Sequence, residues 1–467
     1  MAKSVYIGIG GYDIGNVRPE LQLTYQELGD YVYRFDSVSV NSAGQIVGTN
    51  PQLVSLDTLT YGDCFIEQSV YETVNPIEYV YQVSSVGSTE SVFCYKQIVY
   101  DNGKACKIKK GYIGINGVAR KIKKAYIGVG GVARPCWGGG VLAYYGTVTE
   151  LSIGRRELAV TTVGNYALFC GGFGFADSPD GADAYDASLT HTIPSSLNTG
   201  RYALAATTIG DYALFGGGMT GSGSRSSLVD TYDTSLTHSK TTSNLGSNRS
   251  ALAATTVGDY ALFGGGRANS ASSTVDTYNK SLTKTANAAL SQSRYALAAT
   301  TIGNYALFGG GCSSSSNAYA TVDAYDTSLT RTIPTVLSQL RSALAATTIG
   351  DYALFGGGHR SSSNVYATVD AYDTSLTRTI PTVLSQSRYA LAAITIGNYA
   401  LFGGGCSSSS NVYATVDAYD TSLTRTIPTV LSQSRYSLAA TTVGDYALFG
   451  GGRANSTYSI VDAYTLV

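Results

Sequence analysis

The chain has 467 residues, 44% of them hydrophobic and 13% charged, with a formal net charge of −1. That length and apolar content exclude a disordered polymer and allow two or more domains with real cores, while the near-balanced charge singles out no partner. The start, "MAKSVYIGIGGYDIG", has no apolar run of signal-peptide length, and no stretch reaches the ~18 apolar residues of a membrane span, so folding in a cytosol without membrane insertion is expected.

Residues 1–103 alternate apolar and polar side chains with many aromatics, as in "LQLTYQELGDYVYRFDSVSV", and read as a small β-rich attachment module. In 104–137 a shorter unit repeats: "GYIGINGVARKIKK" and "AYIGVGGVARPCW" each read as strand, Asn-Gly or Gly-Gly turn, strand, giving a basic β-meander. Lys104 to Arg134 holds nine basic residues and no acidic one. Lys107, Lys109, Lys110, Lys121, Lys123 and Lys124 are therefore candidates for docking on an acidic partner or anionic polymer, or alternatively lysines that cover a thin sheet and guard its edges.

From 138 onward one motif dominates. "YALFGGG" or a close variant recurs, with the first glycine of the triplet at Gly216, Gly264, Gly309, Gly356, Gly403 and Gly450 and Cys170 in the corresponding place of the first copy. A period near 47 residues counted seven times points to a repeat array. Within 294–341, "RYALAATTI" reads as a strand, "GN" as a tight turn and "YALFGGG" as the returning strand. A Ser-rich loop follows, then "ATVDAY" as a third strand and "RTIPTVL" as a fourth, its proline on an outer edge. Four antiparallel strands per unit is one propeller blade. The glycines fit places where inner strands converge and backbone approaches backbone. The last unit stops at "IVDAYTLV" without a fourth strand, and residues 146–154 supply a candidate, pairing with 460–464 and removing an exposed edge.

The order of Arg, apolar strand, glycine pair, loop and "VDAYD" resembles the kelch repeat over 141–467 and implies an all-β, seven-bladed kelch-like propeller beside a separate β-rich N-terminal region. The sequence departs from kelch in having Thr332, Thr379 and Thr426 where a tryptophan is usual. The tandem "KKAYIGVGGVAR" units ahead of a repetitive β-rich C-terminus resemble virion proteins of tailed phages that infect Gram-positive bacteria. That resemblance implies a virion-located structural protein, a tail fibre, spike or other appendage, that is not an enzyme. Its N-terminal third would contact other virion proteins and its propeller a glycan or protein of the host surface; homo-oligomerisation is compatible with this, and no nucleic acid is expected. A carbohydrate-active or oxidase enzyme on a propeller and a cellular kelch-like adaptor are the alternatives.

His191 and His238 sit where later units carry Arg331, Arg378 and Arg425, so they read as solvent-facing repeat variants, and no cofactor or metal is expected. The seven cysteines are odd in number and scattered without C-x-x-C, so they read as free thiols. Asp177, Asp180 and Asp183 form either a polar turn or a calcium site without EF-hand spacing. Asp323, Asp370 and Asp417 recur at one position, as a structural role requires. The loops after the glycine triplet differ between units and offer Arg225, Arg267, Tyr319, His359, Arg360, Tyr366, Tyr413, Arg453 and Tyr458 as binding candidates. They are expected on the same face as the "LSQSRY" connections, a face lined by Ser, Asn, Tyr, Gly and Arg.

Overall fold

The computed structural model describes residues 3–8, 20–23, 31–40, 46–55, 63–67, 79–86, 89–96, 112–115, 118–121, 125–129, 132–137 and 141–466, apart from Phe175, Ala176 and Thr242. The chain divides into two compact units, Met1–Gly140 and Val141–Val467. In the first, seven strands form one sheet in the order Glu20–Leu23, Lys3–Gly8, Thr89–Lys96, Tyr79–Val86, Cys64–Glu67, Tyr31–Phe35 and Gln52–Ser55. Lys3–Gly8 runs parallel to Thr89–Lys96, and the other pairs are antiparallel. Tyr112–Ile115 pairs with Val118–Lys121, and Ala125–Val129 with Val132–Trp137, as two antiparallel strand pairs. Lys121 ends a strand opposite Tyr112, whereas Lys107, Lys109, Lys110, Lys123 and Lys124 lie outside the described residues.

The second unit contains seven four-stranded antiparallel sheets, numbered here 1 to 7: 159–192, 205–240, 253–286, 298–332, 345–379, 392–426 and 439–466, the last completed by Leu142–Val148. Sheet 4 shows the plan. Ala298–Ile302 pairs with Tyr305–Gly309, that strand with Val322–Asp326, and the third with Arg331–Thr332. Each sheet packs face to face on the next. Ala298, Ile302, Leu307 and Val322 of sheet 4 meet Leu344, Ala353, Phe355 and Tyr372 of sheet 5, and an equivalent cluster joins sheet 7 to sheet 1 through Leu448 and Val461 against Leu158, Phe169 and Tyr185. Burying one such Phe contributes about 1.5–3 kcal/mol, and the gain recurs at every junction. These repeated sheets make a propeller-like all-β repeat fold.

The glycine triplet serves those junctions. A Cβ on Gly309 would lie 2.6 Å from the Phe355 ring of the next sheet. On Gly310, with φ at 67°, it would lie 2.6 Å from the carbonyl oxygen of Arg341. The triplet therefore ends the second strand, and it is the first strand that lines the axis.

The buried side of each sheet carries an ion pair. Arg294, with no exposed surface, donates from Nη2 to the Phe308 carbonyl at 3.0 Å and to Asp323 Oδ2 at 2.7 Å, while the backbone N–H and hydroxyl of Ser291 donate to the same carboxylate at 2.9 and 3.1 Å. The serine and arginine of "LSQSR" are thereby tied to the aspartate of "VDAYD". The other six sheets repeat the pair as Arg155–Asp183, Arg201–Asp230, Arg249–Asp276, Arg341–Asp370, Arg388–Asp417 and Arg435–Asp462.

Sheet 7 obtains its outer strand from the start of the unit. Leu142 pairs with Leu466, Tyr144 with Tyr464 and Val148 with Val461. The expected pairing segment, 146–154, is corrected to Leu142–Val148. Beyond Val148 the chain leaves the sheet edge: Leu151 buries its side chain and bonds Ser459 through its N–H at 2.8 Å. A second circuit runs through the backbone at the start of each first strand. The N–H groups of Ala203, Ala251, Ala296, Ala343, Ala390, Ser437 and Glu157 bond the carbonyls of Glu157, Ala203, Ala251, Ala296, Ala343, Ala390 and Ser437 in turn. All seven donors have φ between 52° and 54°.

The fourth strands are shorter than expected. In sheets 1, 4, 5 and 6 each stops before its proline, as at Arg331–Thr332, because Pro334 has no N–H to donate and Ile333 is exposed. The loops after the triplet in sheets 4, 5 and 6 gain small hairpins of their own, such as Cys312–Ser314 with Asn317–Ala318.

Candidate functional site

At the axis, threonines of the first strands line a cavity of about 440 Å³. The Thr207, Thr255 and Thr300 hydroxyls lie 2.8 Å from those of Thr256, Thr301 and Thr348 on the neighbouring sheets. Their hydrogen-bonding capacity is thus shared between sheets, and the lining carries no ionisable group. Ile394 stands where the other sheets place one of these threonines.

One face beyond the axis is where the sheets differ. The residue after each glycine triplet bridges the residue after the buried arginine: Phe173 with Arg156, Met219 with Tyr202, Arg267 with Ser250, Cys312 with Tyr295, His359 with Ser342, Cys406 with Tyr389 and Arg453 with Tyr436. The variable loops and the "LSQSRY" connections therefore share a face. There the Arg267 guanidinium lies 5.4 Å from the Tyr295 ring centre, Arg453 5.6 Å from Tyr436 and Arg156 5.0 Å from Phe173. His359 meets the Tyr389 ring edge-on at 4.3 Å, and burial pushes its imidazole below the usual value, so it is neutral at pH 7.

All nine nominated binding residues lie in these loops. Arg267 and Arg360 are exposed, and Arg225, Tyr319, His359, Tyr366, Tyr413, Arg453 and Tyr458 are half-buried. In sheet 4 the Tyr319 hydroxyl donates to Ser313 Oγ at 3.1 Å and receives Asn317 Nδ2 at 3.1 Å. Tyr413, Ser407 and Asn411 repeat this cluster in sheet 6. The expectation that the arginines of "LSQSRY" line the face is corrected: Arg294, Arg388 and Arg435 are wholly buried on aspartates, and the next residue, Tyr295, Tyr389 or Tyr436, reaches the face instead. Those tyrosines were expected on the face only as part of "LSQSRY", and Arg156, Phe173 and Tyr202 were missed. Their signal is the position after the arginine, which reads Arg, Tyr, Ser, Tyr, Ser, Tyr, Tyr through the repeats.

Several other residues have structural partners. His191 and His238 are not solvent-facing: their Nε2 atoms lie 2.7 and 2.8 Å from Asp183 and Asp230, with 13% of each side chain exposed. Arg425 reaches Asp417 at 2.9 Å from the same fourth-strand position, and in sheet 7 the Tyr144 hydroxyl donates to Asp462 at 2.6 Å. Asp183 is turned into the sheet on Arg155, away from any site shared with Asp177 and Asp180. Cys170, Cys312 and Cys406 are free and buried, and burial pushes each thiol up.

Comparison with known proteins yields a likeness of fold. The chain is similar to the solved structure of YjhT with a TM-score of 0.50 at 12% identity, covering 60% of this chain and 99% of that one. No protein-family model and no curated protein sequence matches the chain. At that identity the likeness speaks for architecture alone.

Proposed function

We propose that the chain is a structural protein of a tailed-phage virion, a fibre, spike or similar appendage, whose N-terminal third attaches to other virion proteins and whose kelch-like, closed seven-bladed propeller meets the host surface. One observation carries the recognition role. The residues that repeat from sheet to sheet are occupied inside the scaffold, the arginine and aspartate in pairs within each sheet and the phenylalanine and glycines in the packing of one sheet on the next, while the residues that vary gather on one face. A scaffold with fixed strands and variable loops at one end is the arrangement used for binding surfaces. Closure of the ring is supported by the backbone circuit that returns from Ser437 to Glu157 and by the apolar junction between sheets 7 and 1. The virion assignment rests on the resemblance of the "YIGVGGVAR" units.

The test has two arms. Antibody to the purified chain should label phage particles, and the purified chain should compete with particles for adsorption to host cells. Replacing all the variable loops with Gly/Ser segments should abolish the competition. Particles that carry no label, or competition unchanged by loop replacement, would overturn the proposal.

A further inference from the structure

Fifteen arginines lie in the second unit, and eleven have a carboxylate partner: seven in the buried pairs, Arg331, Arg378 and Arg425 on the same aspartates, and Arg156 on Glu157. The four without one among the described residues are Arg225, Arg267, Arg360 and Arg453. All four sit on the variable face. The loops and connections of that face from 217 to 460 contain no Asp or Glu, the acids there being confined to sheet 1 with Glu150, Glu157, Asp177 and Asp180. Acid outside the buried pairs is concentrated on the other face instead. Asp211 and Asp351 occupy the turns between first and second strands, and Asp233, Asp326 and Asp373 the turns between third and fourth. Those two sets of turns share a face, since Gly303 of one hairpin meets Thr374 of the next sheet's turn. A ring of nearly zero net charge is thus polarised from face to face.

From this geometry we infer that the variable face binds an acidic polysaccharide, a sugar polymer bearing carboxylates, through Arg225, Arg267, Arg360 and Arg453. This deepens the host-binding role proposed above and rests on it. The Arg267 and Arg453 guanidinium groups lie over tyrosine rings, 5.4 and 5.6 Å from their centres, a cation–π contact that holds each group beside the ring, and a planar guanidinium suits the bidentate grip that carboxylates accept. The half-buried tyrosines beside them, and the Ser–Asn–Tyr clusters of sheets 4 and 6, supply apolar ring surface with hydroxyls and amides for sugar hydroxyls. Four cations spread over four sheets suit a ligand that repeats its charge, several weak contacts adding up along one chain. Nucleic acid fits less well, because affinity for a phosphate backbone is built from dense Lys/Arg stripes, and the described loops of this face contain no lysine.

The experiment measures binding of the full-length chain to polygalacturonate, to its methyl ester and to duplex DNA. Polygalacturonate should bind and weaken as salt rises, with the methyl ester at least about tenfold weaker, since esterification removes the charge and keeps the sugar backbone. The double variant Arg267→Gln/Arg453→Gln should lose about tenfold, and the fourfold variant more than about a hundredfold, while Asp211→Asn in a turn of the opposite face leaves affinity unchanged. Equal binding of acid and ester, no binding of either, DNA bound as tightly as polygalacturonate, or full affinity in a fourfold variant of unchanged melting temperature would each overturn the inference. A fourfold variant that still competes for host cells, when loop replacement does not, would sink the arginine assignment alone and leave the host-binding role standing.

Discussion

Arg294 and Asp323 place two full charges where no water reaches, and the surrounding contacts explain why they remain there. Burial lowers the pKa of Arg294, and the Asp323 charge and hydrogen bond oppose that shift. Each Asp323 oxygen also receives a donor from Ser291, so the carboxylate has charge and hydrogen-bond partners together. Such a pair is a poor source of net stability but costly to break on one side, because the survivor is left buried and unmatched. Asp323→Ala should therefore lower the unfolding free energy by ~3–5 kcal/mol, measured from the denaturant midpoint at an unchanged slope. The double replacement Arg294→Met/Asp323→Leu should cost less than the single one. A single variant within ~1 kcal/mol of the parent would show that the pair is solvated and that the sheets are joined by apolar packing alone.

The "DTSLT" turn shows how an element can hold a residue where it does not choose to be. Leu329 has φ at 64°, yet its side chain is packed on the core between sheets 3 and 4. Asp326 fixes the turn by accepting from the Ser328 N–H at 2.9 Å, the Ser328 hydroxyl at 2.7 Å and the Thr330 N–H at 2.9 Å. The hydroxyl bond is the main reason that the Asp326 carboxyl lies below its ordinary 3.8, slight burial opposing it and the two N–H groups adding to it; Asp186, Asp233 and Asp373 behave alike. A folded value below the unfolded one means that the ionised form favours folding. The contribution is complete above the ordinary carboxylate range and is lost as pH falls below about 4 toward the folded value. The melting temperature should be level from pH 8 to 5 and drop below 4, and Asp326→Asn should shrink the drop. The strands around these turns were legible in sequence because "AATTI", "YALFG" and "VDAYD" are short, apolar and punctuated by Gly and Asp. The fourth strand was legible in place but not in length, since the proline that ends it after two residues also reads as an edge-strand proline. The hairpins at Cys312–Ala318 were hidden in serines that alternate nothing. The buried arginines read as surface residues because a lone "SRY" gives no sign of the aspartate 29 residues further on. The same blindness passed over Tyr202 and Arg156, whose place on the face follows from the burial of the arginine before them.

At the scale of the whole second unit, the decisive feature is that its first and last strands are partners. Leu142 lies opposite Leu466, so the two strands of the sheet 7 edge stand as a hairpin that lacks its loop. Tyr144 meets Tyr464 edge-on at 5.3 Å and gives its hydroxyl to Asp462, the place held in other sheets by the fourth-strand arginine, histidine or, in sheet 3, Lys284. Removing 138–148 should strip this edge, expose Val461–Leu466 as an unpaired strand and lower the melting temperature with aggregation. That loss alone has a second explanation, damage to the neighbouring unit's connection, and a permutation separates the two. Residues 142–466 are joined end to end by a two-residue Asn-Gly turn between Leu466 and Leu142, the length that matches directly opposed strand ends. New termini are opened between Ser315 and Ser316, at the exposed tip of the small hairpin in sheet 4. If the ring is held by equivalent junctions all round, where it is cut matters little, and the permutant should be monomeric and fold within ~1–2 kcal/mol of the same unit with native termini. Opening the permutant at the sheet 4–5 connection should also be tolerated, whereas deleting the first strand of any sheet should not. A permutant that unfolds or assembles into higher oligomers, while the unit with native termini stays folded, would mean that the Leu142–Val148 strand is a latch of special importance and not one of seven interchangeable edges.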